Sequence, residues 1–508
     1  MAHFSELAEA PGKKLWTWQS NGNTYARTEL SDNNTAYIEL QAGVFADQAT
    51  FDYLAPQQTR RFTEYWMPVR GLGGISRANR HAVLNLRRTT DSGAALLVEL
   101  NVNHAVPGAV VRLFSGEQTI LEEPADLDPS ETYSRSVNGA AAGTRYTFQL
   151  VDAAGAVLLE HTEGRYDAIT PADFPIGKQP QPDWSVQGAE SDYLAVADFN
   201  ELQGNLGFGY NDLNRFAYGD YVRGLRAFPG SLPLLKGAAR LSVISNRFAE
   251  GVERLLAAQA KAPDDPEIHY YLGLARAGTG DDAKARVEFS AIESDPQFGA
   301  AAGLQLACLL ARSGDYASAL AAARGSFAKN PDIIRAGAVE IAMLRKLERW
   351  DEAAGRLAVW RAADPTDSVL RLEQYLLGGQ DEPLWRHLAA DPERVLDVAD
   401  HFMQMGLYYD ALQPLDRYYA ALDPLDTEPG AVLPQNHPLV AYYRGYCREQ
   451  VGVSGADDYG AASTLSTRYV FPSRSGSLAV LQAALRRNPS DGTAHFPGLT
   501  FSLVSDGG

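Results

Sequence analysis

A carboxylate set inside an otherwise apolar strand is the first position in this sequence with the makings of chemistry. Glu39 stands between Ile38 and Leu40 in the stretch Ala36–Gly74. On an extended chain its side chain points to the face opposite theirs. If that face lines a cleft, the carboxylate is placed for proton transfer. A strand-edge ion pair with a lysine or arginine accounts for the same residue. Four aromatic residues, Trp16, Trp18, Tyr65 and Trp66, flank it in sequence. Their faces suit the apolar C–H faces of sugar rings, and core packing is the competing role.

The elements that must hold these residues are strands. In Val98–Val102 the apolar Val98, Leu100 and Val102 alternate with Glu99 and Asn101, and Tyr146, Phe148 and Leu150 alternate with Thr147 and Gln149. A period of two predicts half-buried strands. With turns such as Asp152–Gly155 between them, residues 88–164 have the length and spacing of a small immunoglobulin-like sandwich. GLGG at Gly71–Gly74 is most simply a turn. A proline-bearing stretch without periodicity, Ile169–Trp184, reads as a linker.

Beyond Ser191 the period becomes helical and a longer repeat takes over. Small residues at Ala217, Gly251, Ala285, Ala319 and Ala353 follow one another at intervals of 34, and Pro229, Pro263, Pro296, Pro331 and Pro365 trail them by 11 or 12 positions. A second small series, Ala239, Gly273 and Ala307, precedes them by 12. Each unit therefore reads helix, turn, helix, with glycine and aspartate in turns such as Ala277–Asp282 and Arg312–Tyr316. The register predicts an interruption at Trp385–Arg394, where His387 replaces the small residue, and resumption with Ala411. The tyrosine pairs at 270–271, 418–419 and 442–443 are expected in inter-helix packing. A peptide groove on the concave face of such an array is the functional alternative.

Composition bounds the rest. The 508 residues carry a formal charge of -18, which repels phosphate backbones and anionic headgroups, so neither nucleic acid nor a membrane is an expected partner. The chain as it stands reads as cytoplasmic. Only Cys308 and Cys447 occur, which excludes a disulfide framework, and Cys308 in LQLACLLA is expected as a small buried hydrophobe. No phosphate loop, HExxH helix, paired CxxC or GxSxG elbow is written in the sequence, so no cofactor and no metal is expected. GNLGFG at Gly204–Gly209 has no strand before it and is discounted as a phosphate loop.

The repeat resembles the tetratricopeptide pattern over about Asp192–Asp364. Upstream, YIELQAGVFAD followed by LAPQQTRRFTEYWMPV resembles the aldose 1-epimerase (galactose mutarotase) superfamily. It resembles more closely the mutarotase-like domain of unknown function 5107, which bacteria place before tetratricopeptide repeats. The resemblance implies that Glu39 stands where that superfamily has its catalytic base and that Asp47 lies in the following loop. The superfamily's histidine acid comes from an earlier portion with no counterpart here, and His3, His81, His104 and His161 are expected to be ordinary surface or packed residues.

These readings give a multidomain β + α chain: the C-terminal part of a mutarotase-like β-sandwich (1–87), an immunoglobulin-like β-sandwich (88–166), a linker (167–190), an α-α superhelical tetratricopeptide array (191–425) and further repeats, truncated, at 426–508. If the superfamily's earlier portion precedes this stretch, Met1 is an internal methionine of a longer product and the cytoplasmic reading lapses. The implied function is a carbohydrate-associated scaffold: Glu39 as candidate general base, Trp16, Trp18, Asp47, Tyr65 and Trp66 as sugar contacts, and the repeats as the seat of a protein partner. A purely non-enzymatic scaffold for protein partners is the alternative.

Overall fold

A computed structural model describes residues 1–17, 30–31, 37–45, 60–89, 95–166, 188–203, 213–421, 432–468 and 470–495. Trp18, Asp47, GNLGFG, the proline-bearing linker and the last thirteen residues lie outside the described residues. The chain divides into two compact units, the first formed by Met1–Leu54 and Thr59–Pro180, the second running through Gln181–Gly508.

Among the described residues, the first 69 form two antiparallel ribbons. Strand β1 (Ala2–Ser5) pairs with β4 (Glu64–Met67), and β2 (Lys14–Thr17) pairs with β3 (Ile38–Gln41). Each strand is four residues long and has one partner. Two-stranded ribbons of this length bury little on their own.

The remaining eight strands form two sheets around one core. Strands β5 (Arg77–Ala78), β6 (Ala82–Thr89), β7 (Ala95–Val102) and β10 (Tyr133–Asn138) lie in the order β10-β7-β6-β5. Strands β8 (Val106–Ser115), β9 (Gln118–Leu127), β11 (Tyr146–Val151) and β12 (Val157–Thr162) lie in the order β12-β11-β8-β9. Leu84, Leu96 and Val98 of the first sheet meet Val111, Leu113 and Phe148 of the second in a single cluster, all fully buried. Strand β6 runs across the domain boundary expected at residue 87.

Strand β11 alternates as predicted, but β7 does not: Glu99 and Asn101, expected to face water, are buried. Residues 70–73 lie over them. The Arg70 N–H donates to Asn101 Oδ1 (2.7 Å) and the Gly73 N–H to Glu99 Oε2 (3.1 Å), while Asn85 Nδ2 donates to the same Glu99 oxygen (2.7 Å). GLGG is therefore a strap over a sheet face. Gly71 has a φ of 63°, and a Cβ on Gly73 would crowd Arg87 Nε at 3.3 Å.

The second unit is built from helix pairs: α1 (Glu190–Gln203) with α2 (Leu213–Ala227), α3 (Leu232–Ile244) with α4 (Phe248–Gln259), α5 (Pro266–Gly278) with α6 (Asp282–Ala291), α7 (Gly299–Arg312) with α8 (Tyr316–Lys329), and α9 (Ile334–Lys346) with α10 (Trp350–Ala363). Then come α11 (Ser368–Leu376) with α12 (Glu382–Ala389), α13 (Pro392–Gln404) with α14 (Tyr408–Leu415), α15 (Pro438–Gln450) with α16 (Ala456–Ala462), and α17 (Ser475–Arg487). Ala217, Gly251, Ala285, Ala319 and Ala353 fall in second helices and are buried; Ala239, Gly273 and Ala307 fall in first helices. The predicted turns hold: Gly280 and Gly314 take φ of 84° and 81°, and Asp281 and Asp315 accept the N–H groups of Lys284 and Ser318.

At Trp385–Arg394 the array shortens where the register predicts an interruption. Helices α11 and α12 have nine and eight residues, and Asp381 caps α12 by accepting the Leu384 N–H at 2.9 Å. Buried charge ties this pair to its neighbours: Arg345 of α9 donates to Glu373 of α11 (2.9 Å) and to Asp410 of α14 (2.9 Å). Tyr442 and Tyr443 are core residues as expected, whereas Tyr418 is 80% exposed.

Small residues at the crossings are a steric requirement. A Cβ on Gly273 would lie 2.6 Å from the Phe289 ring, whereas one on Gly355 of α10 would meet nothing within 4 Å. Gly273→Ala is expected to cost about 1–3 kcal/mol by overpacking, and Gly355→Ala to stabilise by about 0.5–1 kcal/mol through helix propensity. Denaturant unfolding of the two variants checks this; equal effects would contradict the packing account.

Candidate functional site

The N-terminal residues singled out above divide between the two ribbons. Trp16 and Glu39 are direct cross-strand partners on β2 and β3, so they share a face. The Tyr37 hydroxyl donates to Glu39 Oε1 at 3.0 Å, and that hydrogen bond raises the tyrosine pKa. Trp16 Nε1 donates to Gln41 Oε1 at 2.9 Å. On the opposite face Leu15 and Ile38 stand exposed. Tyr65 and Trp66 belong to β4. His3 stacks on Trp66 with centroids 4.1 Å apart and planes 8° from parallel, which covers one face of the indole. Burial lowers the His3 pKa. Tyr65 packs against Phe4. The ribbons thus unite Trp16 with Glu39 and place Tyr65 and Trp66 with β1.

A concave surface lies within the helical unit, a groove of roughly 650 Å³. Its walls come chiefly from first helices, and they come as stripes. Gln305, Cys308, Leu309 and Arg312 of α7 follow a spacing of three, one and three, and Ser475, Leu478, Ala479 and Gln482 of α17 repeat it. Residues so spaced share one face of a helix. The other face of α7, with Ala302, Leu306 and Ala307, is packed in the core. Val243, Ile244 and Leu274 give the groove an apolar end, and Arg335, Asp400 and Gln404 a polar one. Cys308 is buried in the core as expected and also borders the groove, and burial raises its thiol pKa.

A chain of hydrogen bonds fixes the polar end. Gln404 Nε2 donates to Asp400 Oδ2 at 2.6 Å, so the amide oxygen is presented to Arg335, whose guanidinium donates to it. Arg312 makes two bonds to the Asp282 carboxylate (2.9 and 3.0 Å) and donates to the Gln404 carbonyl oxygen (3.1 Å). Asp400 is buried, and burial pushes its carboxyl pKa up. Gly476 at the start of α17 allows the close approach, since a Cβ there would overlap Asp400. Arg474 joins α17 to α13 through Glu393 Oε2 (2.6 Å), and Tyr443 joins it to α15 through Ser477 (2.7 Å).

Residues 237–297, from within α3 to the end of α6 and beyond, match the family model "Tetratricopeptide repeat". The helical unit carries tetratricopeptide repeats. Residues 1–69 match the "Domain of unknown function (DUF5107)", and residues 77–161, the two-sheet region, match "YphG-like protein, second domain". The order of a DUF5107 segment before tetratricopeptide repeats is the one the sequence led us to expect. Similar solved structures include YrrB, described as a TPR protein with an unusual peptide-binding site (16% identity, 37% of this chain and 92% of that one, TM-score 0.31). Others are a thermophilic TPR protein of Thermus thermophilus (19% identity, 37% and 98%, TM-score 0.28) and a tetratricopeptide repeat protein of Parabacteroides merdae (12% identity, 61% and 98%, TM-score 0.35). No described helix is long and apolar enough to cross a membrane, and no metal-holding cluster of His, Cys, Asp and Glu occurs among the described residues.

Proposed function

We propose that this protein is an interaction scaffold whose tetratricopeptide groove receives an extended segment of a partner protein. The observation that carries the reading is the groove itself: its volume of roughly 650 Å³ lies in the range of about 300–1,000 Å³ found for ligand sites. Its stripes alternate aliphatic side chains with the amides of Gln305 and Gln482. An amide presents both a donor and an acceptor, which suits a peptide backbone, and aliphatic neighbours suit its side chains. In this reading residues 77–163 form an immunoglobulin-like sandwich with a structural role. Supporting that, the Ala141 N–H donates to the Tyr146 hydroxyl at 3.0 Å near the start of β11, as in the tyrosine corner of such domains.

A photo-crosslinking residue at Ile244 or at Val287 in the full chain tests this, because both side chains are exposed and only Ile244 lines the groove. Bound partners are expected to attach at Ile244. Attachment preferentially at Val287 would contradict the assignment.

The carbohydrate reading stands beside this one, favoured by the pairing of Trp16 with Glu39 on one face of a ribbon. It requires a sugar that raises the melting temperature of the wild type and loses that effect in Glu39→Gln. A panel of mono- and oligosaccharides giving no shift would remove it.

A further inference from the structure

We infer that the groove selects a peptide carrying an acidic side chain together with an aliphatic one, and that Arg335 receives the carboxylate. The inference rests on the reading of the groove as a peptide site and adds the chemistry of its occupant.

Two arginines line the groove, and their situations differ. Arg312 is already neutralised by both oxygens of Asp282. Arg335 is held by the amide oxygen of Gln404, and no carboxylate stands within ion-pair distance of it among the described residues. An amide orients a guanidinium without cancelling its charge. A guanidinium has five N–H donors in a planar fork, so one bond to Gln404 leaves a pair free for a bidentate carboxylate.

The surroundings favour such an occupant. Asp400 is the acidic residue lining the groove, and its carboxylate accepts from Gln404 Nε2. Arg335 sends its positive field inward, where it acts on Tyr270, Cys308, Asp400 and His401. The chain as a whole carries -18 charges and repels anions, so an uncompensated cation in a concave space is a local exception. At the other end, Val243, Ile244, Leu274 and Leu309 offer an aliphatic wall, with Ile244 53% exposed. That end leaves apolar surface for a leucine- or valine-sized side chain.

The test is selection of a random 12-residue display library on the full chain, on Ala479→Trp, on Arg335→Gln and on Arg335→Glu. Enrichment on wild type that Ala479→Trp abolishes places the peptides in the groove. The inference then requires Asp or Glu at one register of the enriched peptides and an aliphatic residue at another. It also requires loss of the acidic preference in Arg335→Gln and a change to Lys or Arg in Arg335→Glu. Synthetic copies of the enriched peptides should lose affinity on the order of tenfold when their acidic residue becomes Gln or Asn. Groove-bound peptides without an acidic preference, or with one that survives in Arg335→Glu, overturn the inference and leave the groove assignment intact. No enrichment, or enrichment untouched by Ala479→Trp, overturns the groove assignment itself. Thermal unfolding of each variant guards against misfolding, and Arg335 is an exposed side chain whose replacement leaves the core unchanged.

Discussion

Close approach of paired helices is the constraint on which the rest of this molecule depends. It is made by placing a glycine or alanine where a neighbouring helix brings a large side chain: Gly273 under Phe289, Gly337 under Trp360, Gly237 under Tyr221. Packed helices lie about 8–10 Å apart according to the side chains between them. Where the contact is kept small, successive helix pairs can stack closely, and stacked helix-pair repeats wind into curved arrays. Curvature gives the first helices a free inner face. The groove is a consequence of those small residues, and its chemistry is written on the stripes they leave uncovered.

Charge follows a related logic. Inside the array most arginines have a carboxylate assigned to them. Arg240 bridges Glu201 and Glu267, Arg324 and Arg356 converge on Glu340, and Arg345 links Glu373 and Asp410. These pairs fix which helix sits against which, because removing one partner strands a buried charge. Arg335 departs from that pattern, since the partner given to its guanidinium is the Gln404 amide. The same contrast separates the two halves of the chain: the ribbons of residues 1–69 place an aromatic side chain beside Glu39, while the helical unit encloses a space.

The repeat was legible in the sequence because its cause is steric. A position that tolerates only a small residue recurs every 34 residues whatever the surrounding composition, and helix stops recur with it. The sheets were legible from alternation, most clearly in Tyr146–Val151. What remained hidden needed contacts distant in sequence. Glu99 and Asn101 read as solvent-facing, since nothing near them announces that residues 70–73 cover them. In LQLACLLAR, Leu306, Cys308 and Leu309 read as core and are core, but nothing in the stretch shows that Cys308 and Leu309 also border a groove. Only the superhelix brings Tyr271, Arg335, Asp400 and Ser475, spread over some two hundred residues, to one surface. The pairing of Trp16 with Glu39 follows from strand register, which alternation alone does not supply.

Hydrogen–deuterium exchange of the full chain, with and without a saturating groove-selected peptide, tests the central claim most directly, since bound segments lose exchange where they are covered or ordered. The account predicts new protection in α3, α5, α7, α9, α13 and α17, the helices that supply the groove walls, with residues 1–166 unchanged. Protection confined to the second helices of the pairs, or to the N-terminal strands, would contradict it.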